Sequence, residues 1–155
     1  MSDWSRFERL TPFRVRDVLL VAGHFDHYLL EESGHLAEIM RQEYSDLNLS
    51  QSPSILHSPE ARDALRLLQA RDFDVVITMA RVGDMDVNAF GIVAKRIRPE
   101  LPVMMLSHNT RELAALSAGE GIDRIFVWTG DSRILLSICK LIEDERNVEN
   151  DVRDG

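Results

Sequence analysis

Short apolar runs recur along the chain, and longer segments with apolar residues three or four positions apart separate them. Runs of four to six residues, bounded by polar residues or glycine, predict buried strands. These segments are Val18–Val21, Ser54–His57, Asp74–Met79, Val103–Leu106 and Arg124–Trp128. The pattern therefore predicts five strands.

Between the predicted strands, apolar residues at helical spacing predict helices that cover the sheet. The residues expected to face the core are Leu36, Ile39, Met40, Tyr44 and Leu47, then Ala61, Ala64, Leu65 and Leu68, then Phe90, Val93, Ala94 and Ile97, and finally Ile134, Leu135, Ile138 and Ile142. A shorter helix is predicted at Thr110–Ala118, closed by Gly119 and Gly121, and the last helix is expected to begin near Asp131. The hydroxyl of Ser58 is predicted to cap the helix that follows it.

Strands that alternate with helices predict a parallel sheet covered on both faces, with right-handed crossover connections. We expect an α/β domain with a doubly wound, five-stranded parallel sheet of strand order 2-1-3-4-5. Such open sheets bind ligands at the carboxyl ends of their strands. The residues at those ends are therefore the candidate site.

Composition narrows the possible partners and compartments. The formal net charge of −8 repels phosphate backbones, so nucleic acid is not an expected partner. Cys139 is the only cysteine, which excludes an intrachain disulfide and a cysteine-ligated zinc site. No stretch of the sequence has the apolar length of a membrane span or of a secretory signal, so a cytoplasmic protein is expected.

Three segments resemble the receiver domains of two-component response regulators. "DVVITMARVGDMD" resembles the third strand and following loop of that family, "RPELPVMMLS" the approach to strand four, and "AGEGIDRIFVW" the approach to strand five. The resemblance covers residues 16–145 and implies the flavodoxin-like receiver fold. Residues 1–15 would then be an N-terminal extension, and residues 146–155 an acidic tail or a linker to a following domain.

The residues that carry receiver chemistry are missing at the matching positions. The resemblance places the degenerate phosphoacceptor site at Ala22, Gly23, Met79, Ser107 and Trp128, of which only Ser107 retains the family's residue type. Phosphoryl transfer to a carboxylate needs a nucleophilic oxygen and a divalent cation, and Mg²⁺ prefers oxygen ligands. We therefore expect a domain that is not an enzyme and holds no metal or cofactor. A rearranged phosphoacceptor at Asp84 or Asp86 is the alternative.

A second resemblance concerns a subgroup with a longer link between the first two strands. "FRVRDVLLVAGHFDHYLLEESGHLAEIMRQEYSDLNLS" and "FDVVITMARVGDMD" are similar to the amino-terminal receiver-like region of phosphoenolpyruvate synthase/pyruvate phosphate dikinase-like proteins, and the insert "HFDHYLLEESG" favours that subgroup. The resemblance implies a regulatory domain at the N-terminus of a larger phosphoenolpyruvate- or pyruvate-utilising protein.

Two smaller patterns have structural as well as functional interpretations. His24 and His27 flank Asp26 at a spacing that suits a metal pair, although solvent-facing or capping histidines are the preferred interpretation. The apolar residues Trp4, Phe7 and Leu10 predict a short amphipathic helix. That helix would cover the domain's own sheet edge or dock on a partner.

The leading hypothesis is a pseudo-receiver that regulates or assembles a larger protein through protein contacts. Receivers often use the face formed by helix four, strand five and helix five for this purpose. The resemblance places Arg111, Leu113, Phe126, Arg133 and Cys139 on or near those elements, and it leaves a homodimer open. The alternative is a small-molecule sensor with a crevice at Ala22, Gly23, Ser107 and Trp128.

Overall fold

A computed structural model of the chain describes residues 13–24, 53–80, 83–107, 121–128 and 133–154. The strands are β1 (Asp17–Val21), β2 (Ser54–Ser58), β3 (Val75–Met79), β4 (Val103–Ser107) and β5 (Arg124–Val127). The helices of the described residues are α1 (Ala61–Ala70), α2 (Val87–Ile97) and α3 (Arg133–Asp154). The predicted helix over Leu36–Leu47, the Trp4–Leu10 pattern and the helix at Thr110–Ala118 lie outside these ranges.

The strands form one parallel sheet in the order β2-β1-β3-β4-β5. Leu19 of β1 pairs with Val76 of β3, and Ile77 of β3 pairs with Met104 of β4. The predicted doubly wound sheet of order 2-1-3-4-5 is confirmed. Each predicted strand lies within about one residue of the observed one. For β1, β3 and β4, an uninterrupted apolar run leaves little freedom in placing a buried strand.

The sheet separates two apolar cores, because successive side chains of a strand point to opposite faces. The face covered by α3 includes Val18, Leu20, Ile77, Met79, Met104 and Leu106 from the strands, and Leu135, Ile138, Cys139 and Ile142 from the helix. The opposite face joins Leu19, Val21, Val76, Val103 and Met105 to α1 and α2 through Ala61, Ala64, Leu68, Phe90 and Ala94. The core positions predicted for α1 and the first part of α3 therefore lie in these two layers.

The start of α1 differs from the sequence prediction. Glu60 is the N-cap residue, and its side chain makes no capping hydrogen bond. The hydroxyl of Ser58 donates to the carbonyl oxygen of Glu60 at 2.9 Å instead of accepting from a helix N–H. The prediction that Ser58 caps α1 is therefore wrong.

Helix α3 extends beyond the apolar pattern that predicts it, which ends at Ile142. It continues through residue 145, where the receiver-like segment was predicted to end, and reaches Asp154. Asn147 also contacts the segment before β1, because its Oδ1 accepts a 2.7 Å hydrogen bond from the N–H of Phe13. Residues 146–154 are therefore helical, and at least their first turn is packed on the domain. Within the described parts of the chain, no helix is both long and apolar enough to cross a membrane.

Candidate functional site

The carboxyl edge of the sheet brings the predicted degenerate site together. Ala22 follows β1, Met79 ends β3, Ser107 ends β4 and Trp128 follows β5. The backbone N–H of Trp128 donates to the carbonyl oxygen of Ser107 at 2.9 Å, which extends the β4–β5 pairing past the end of β5. Because all strands are parallel, these residues lie at one edge, as the sequence analysis expected.

The residues at this edge are packed into the interior. Ala22 and Ser107 are 0% exposed, and Met79 and Trp128 are 2% exposed. Ala22, Met79 and Trp128 belong to the apolar layer covered by α3. Gly23 differs, because it is partly exposed and an ideal Cβ built on it would meet no atom within 4 Å. Of these five positions, only Gly23 therefore borders accessible space.

The chemistry available at these positions is limited. A buried thioether at Met79 supplies neither a phosphate acceptor nor an oxygen ligand for a hard cation. The hydroxyl of Ser107 is the one side-chain oxygen among the five, and it is buried. Within the part of the chain that the structure describes, no three His, Cys, Asp or Glu side chains lie close enough together to hold a metal ion.

Asp84, from the loop between β3 and α2, lies at the start of α1. Its two carboxylate oxygens accept hydrogen bonds from the backbone N–H groups of Ala61 and Arg62 at 3.0 and 3.1 Å. Burial acts to raise the pKa of Asp84, but these two hydrogen bonds, another from its own backbone and the charge of Arg62 together hold the pKa below its ordinary value. Asp84 therefore caps α1 as an ionised carboxylate.

Asp86 caps α2 in the same way. Its side chain accepts a 3.1 Å hydrogen bond from the backbone N–H of Ala89, and Asp86 is the N-cap residue of the helix. The two acids proposed as alternative positions for a rearranged phosphoacceptor thus stabilise the starts of two helices.

His57, near the carboxyl end of β2, is a residue of this edge that was not among the predicted site residues. The Nε2 atom of His57, on β2, lies 2.6 Å from the carbonyl oxygen of Ala22, and its ring meets the ring of His24 edge-on at a centroid distance of 6.2 Å. The contact follows from the parallel register that pairs His57 with Leu20. The sequence shows a histidine near the end of the predicted second strand. The sequences of β1 and β2 alone do not determine the register that places it beside Ala22. Asp26 and His27 lie outside the described residues.

The fold of the chain is similar to that of several solved structures. A response regulator receiver domain protein from Methanospirillum hungatei is similar to the chain, with a TM-score of 0.65 and 19% identity over 87% of this chain and 98% of the other. The chain has the receiver fold. The signal receiver domain of an HD domain-containing protein from Pseudomonas fluorescens gives a TM-score of 0.60 at 22% identity, covering 91% of this chain and 96% of that one.

A third similar structure comes from a family of redox sensors in the streptococci evolved from two-component response regulators. It has a TM-score of 0.62 and 17% identity, over 88% of this chain and 54% of the other. No protein-family model and no curated protein matches the chain. At these identities the likeness establishes the receiver fold.

The receiver fold places the predicted interaction residues unequally. Phe126 of β5 is half-buried against the layer under α3, and Arg133 is exposed at the start of α3. Cys139 is 0% exposed in that layer, so it offers no surface to a partner, which is a correction to its prediction as an interaction residue. Its position inside α3 turns it toward the sheet. Arg111 and Leu113 lie outside the described residues.

A groove of about 320 Å³ lies at the amino-terminal edge of the sheet, opposite the predicted site. Met104 and Ile142 are among its apolar lining residues, and Lys95 and Asp123 form a 2.7 Å ion pair at its wall. The groove is lined by the end of α2, the starts of β4 and β5 and the second half of α3. It is therefore separate from the crevice that the small-molecule hypothesis placed at Ala22, Gly23, Ser107 and Trp128.

Proposed function

We propose that this receiver fold is a pseudo-receiver, a domain that contributes to regulation through protein contacts without accepting a phosphoryl group. The supporting observation is the burial of Met79 at the end of β3, where the resemblance to receivers implies the phosphate-accepting aspartate. A methionine side chain has no nucleophilic oxygen, and its burial keeps a phosphodonor away from it.

The surroundings of Met79 support the same proposal. Ala22 and Gly23 supply no side-chain oxygen for the cation that phosphoryl transfer needs. Trp128 occupies the position of the lysine implied by the resemblance, and it is packed in the apolar layer with Met79. Asp84 and Asp86 are the first acids after Met79 along the chain, and both accept hydrogen bonds at helix starts.

Incubation with acetyl phosphate and Mg²⁺, followed by intact-protein mass spectrometry, tests this proposal. The expected result is an unchanged mass. The matched control is the double variant Asp84→Asn, Asp86→Asn treated in parallel. A phosphoryl adduct that forms on the natural sequence and disappears in the double variant would establish the rearranged site and overturn the proposal.

The contact surface that we propose includes the outer strand β5 and the neighbouring side of α3. Phe126 is half-buried there, Arg133 is exposed, and Val148 is 61% exposed on the same helix. A protein partner or a following domain of the same polypeptide would cover this surface, and a second copy of the chain is the alternative. The net charge of −8 makes nucleic acid a poor partner.

Self-association is measured by light scattering during size-exclusion chromatography over a range of protein concentrations. If a second copy covers the surface, the apparent mass of the natural sequence falls as the protein is diluted. At the same concentration, the Arg133→Glu variant has a lower apparent mass than the natural sequence. Arg66→Glu, on the exposed face of α1, is the matched control. A constant mass of 17.7 kDa would leave a different protein or a following domain as the partner.

We also propose that the domain belongs to a larger phosphoenolpyruvate- or pyruvate-utilising protein, for which the sequence resemblance of residues 13–50 and 73–86 is the support. An immunoblot of source cells with an antibody against this domain measures the size of the native polypeptide. A band several-fold above 17.7 kDa agrees with the proposal. A band at that mass would remove the phosphoenolpyruvate link while leaving the pseudo-receiver proposal intact.

Thiol-based redox sensing is disfavoured, although one similar structure comes from a family of redox sensors. Cys139 is fully buried, and burial, followed by the charges of Glu143 and Asp74, raises the pKa of its thiol to about 12. The thiolate is the reactive form of cysteine, so this side chain is chemically protected.

A small-molecule sensor is disfavoured as well, because Ala22, Ser107 and Trp128 have almost no accessible surface.

A further inference from the structure

The segment before β1 is held against α3 through its backbone. The N–H of Phe13 donates to Oδ1 of Asn147 at 2.7 Å, and Nδ2 of Asn147 donates to the carbonyl oxygen of Phe13 at 3.5 Å. Two residues later, the N–H of Val15 donates to Oε1 of Glu143 at 2.8 Å. Glu143 and Asn147 lie about one helical turn apart, a spacing similar to that of alternate N–H groups in an extended chain.

Side-chain packing reinforces these hydrogen bonds. The guanidinium carbon of Arg146 lies 4.5 Å from the centre of the Phe13 ring, a cation–π geometry. Val15 is buried, and Glu143 is only 3% exposed. A buried carboxylate that loses a hydrogen-bond donor is left with a large desolvation penalty. The buried carboxylate of Glu143 therefore relies on the N–H of Val15 for a hydrogen bond.

Beyond these contacts, residues 144–149 of α3 make few described attachments to the domain. Among residues 133–149, whose burial the structure describes, Ile142 is the last buried apolar residue, and residues 144–149 are exposed or half-buried. Glu145 forms an ion pair with Arg124 of β5, but both side chains are more than 40% exposed and such pairs contribute little. A polar helical segment of this length is marginal without tertiary contacts.

We propose that residues 13–15 form a releasable strap that holds the C-terminal part of α3 on the domain, so that displacing the segment before β1 frees residues 146–154 of the helix. The strap links the position of the N-terminal segment to the end of α3, which lie far apart in sequence and adjacent in space. This coupling needs no phosphoryl group and goes beyond the protein-contact role proposed above.

Hydrogen exchange of the natural sequence, resolved by residue with NMR, tests whether the strap opens. The amides of Phe13 and Val15 report directly on the strap because they donate to Asn147 and Glu143. They are expected to exchange together with the amides of residues 146–149, and faster than the amide of Ile138 in the buried part of α3. Exchange of all these amides at the rate of Ile138 would overturn the proposal, because the strap would then open only with global unfolding.

The variant Asn147→Ala tests the coupling. Loss of its two hydrogen bonds is expected to accelerate exchange of Val15 and residues 146–154 by roughly tenfold, while Ile138 is unchanged. The matched control is Asp144→Ala in the same part of the helix. This change removes an exposed ion pair in which Oδ1 of Asp144 lies 3.5 Å from Nζ of Lys140. Unchanged exchange at residues 146–154 in Asn147→Ala, or an equal acceleration in Asp144→Ala, would contradict the proposal.

Discussion

The carboxylate of Asp84 accepts a 3.0 Å hydrogen bond from the backbone N–H of Ala61, the first residue of α1. The two residues lie on opposite sides of β3 in the sequence, so the loop after β3 supplies the cap of the helix before it. The helix's own N-cap residue, Glu60, makes no side-chain hydrogen bond of this kind. The contact that holds the loop against α1 therefore engages Asp84, one of the two acids at which a rearranged phosphoacceptor was the alternative prediction.

Replacing Asp84 by alanine is expected to destabilise the domain. The change leaves the N–H groups of Ala61 and Arg62 without their acceptor, and loss of a helix cap costs about 1 kcal/mol. Urea unfolding followed by circular dichroism measures the difference in free energy of unfolding. Glu60→Gln is the control, because the Glu60 side chain makes no cap hydrogen bond, and an equal loss in that variant would show that Asp84 is not the cap.

The contribution of Asp84 to stability is expected to depend on pH. Its pKa is lower in the folded chain than in the unfolded chain, so its stabilisation is present above the unfolded pKa, and it is lost as the pH falls through the folded pKa. The stability difference between the natural sequence and Asp84→Ala should therefore be full at about pH 7 and shrink below about pH 4. Urea midpoints of both proteins across this range provide the test, and a difference that grows toward acid would refute the assignment.

Met79→Asp is expected to destabilise the domain without creating a phosphoacceptor. Met79 is packed in the apolar layer under α3, and burying a carboxylate there should cost about 3 kcal/mol or more. Met79→Leu conserves volume and polarity, so it should cost less than about 1.5 kcal/mol. Urea unfolding compares the two variants. A stable Met79→Asp protein that gains a phosphoryl group from acetyl phosphate would show that the site remains open.

The sequence pattern was sufficient for the sheet but not for the contacts between its loops and helices. Uninterrupted runs such as Val103–Leu106 are buried on both faces, so their position and strand type follow from composition alone. The alternation of side chains along β3 places Met79 on the face under α3, and its burial follows because both faces of the sheet are covered. The predicted edge residues therefore lie where the parallel arrangement requires.

The contacts that were missed join residues far apart in sequence. The stretch after residue 145 is polar and acidic, which predicts a tail or a linker to a following domain. The sequence does not reveal that α3 continues through it, or that Asn147 accepts a hydrogen bond from the backbone N–H of Phe13. The cap supplied by Asp84 and the contact between His57 and Ala22 are of the same kind. Local propensity and periodicity contain no information about such pairs, because their geometry exists only after the sheet has formed.

The thiol of Cys139 is expected to be unreactive in the folded domain. Burial, then the charges of Glu143 and Asp74, raises its pKa to about 12, so the thiolate fraction is very small at a pH of about 8. Labelling with a thiol-specific reagent should be slow in buffer and fast in urea, where the chain is unfolded. Rapid labelling of the folded protein would show that α3 opens, and it would revive thiol-based redox sensing.

Gly91 of α2 and Gly121, just before β5, pack backbone against backbone. A Cβ on Gly91 would overlap the carbonyl group of Gly121, and a Cβ on Gly121 would lie 2.7 Å from the backbone nitrogen of Ile92. Neither neighbour can move without shifting the helix or the loop. Gly91→Ala is therefore expected to destabilise the domain by about 2 kcal/mol or more, although alanine is the better helix former.

Gly23→Ala is the matched control for this change, because a Cβ at Gly23 would meet no atom within 4 Å. Its free energy of unfolding should stay within about 0.5 kcal/mol of the natural sequence. Thermal and urea unfolding of both variants measure the contrast. If Gly91→Ala were as stable as Gly23→Ala, α2 would have to lie farther from Gly121 than the structure shows. The role of Gly121 would then be limited to closing the preceding helix, as the sequence pattern predicts.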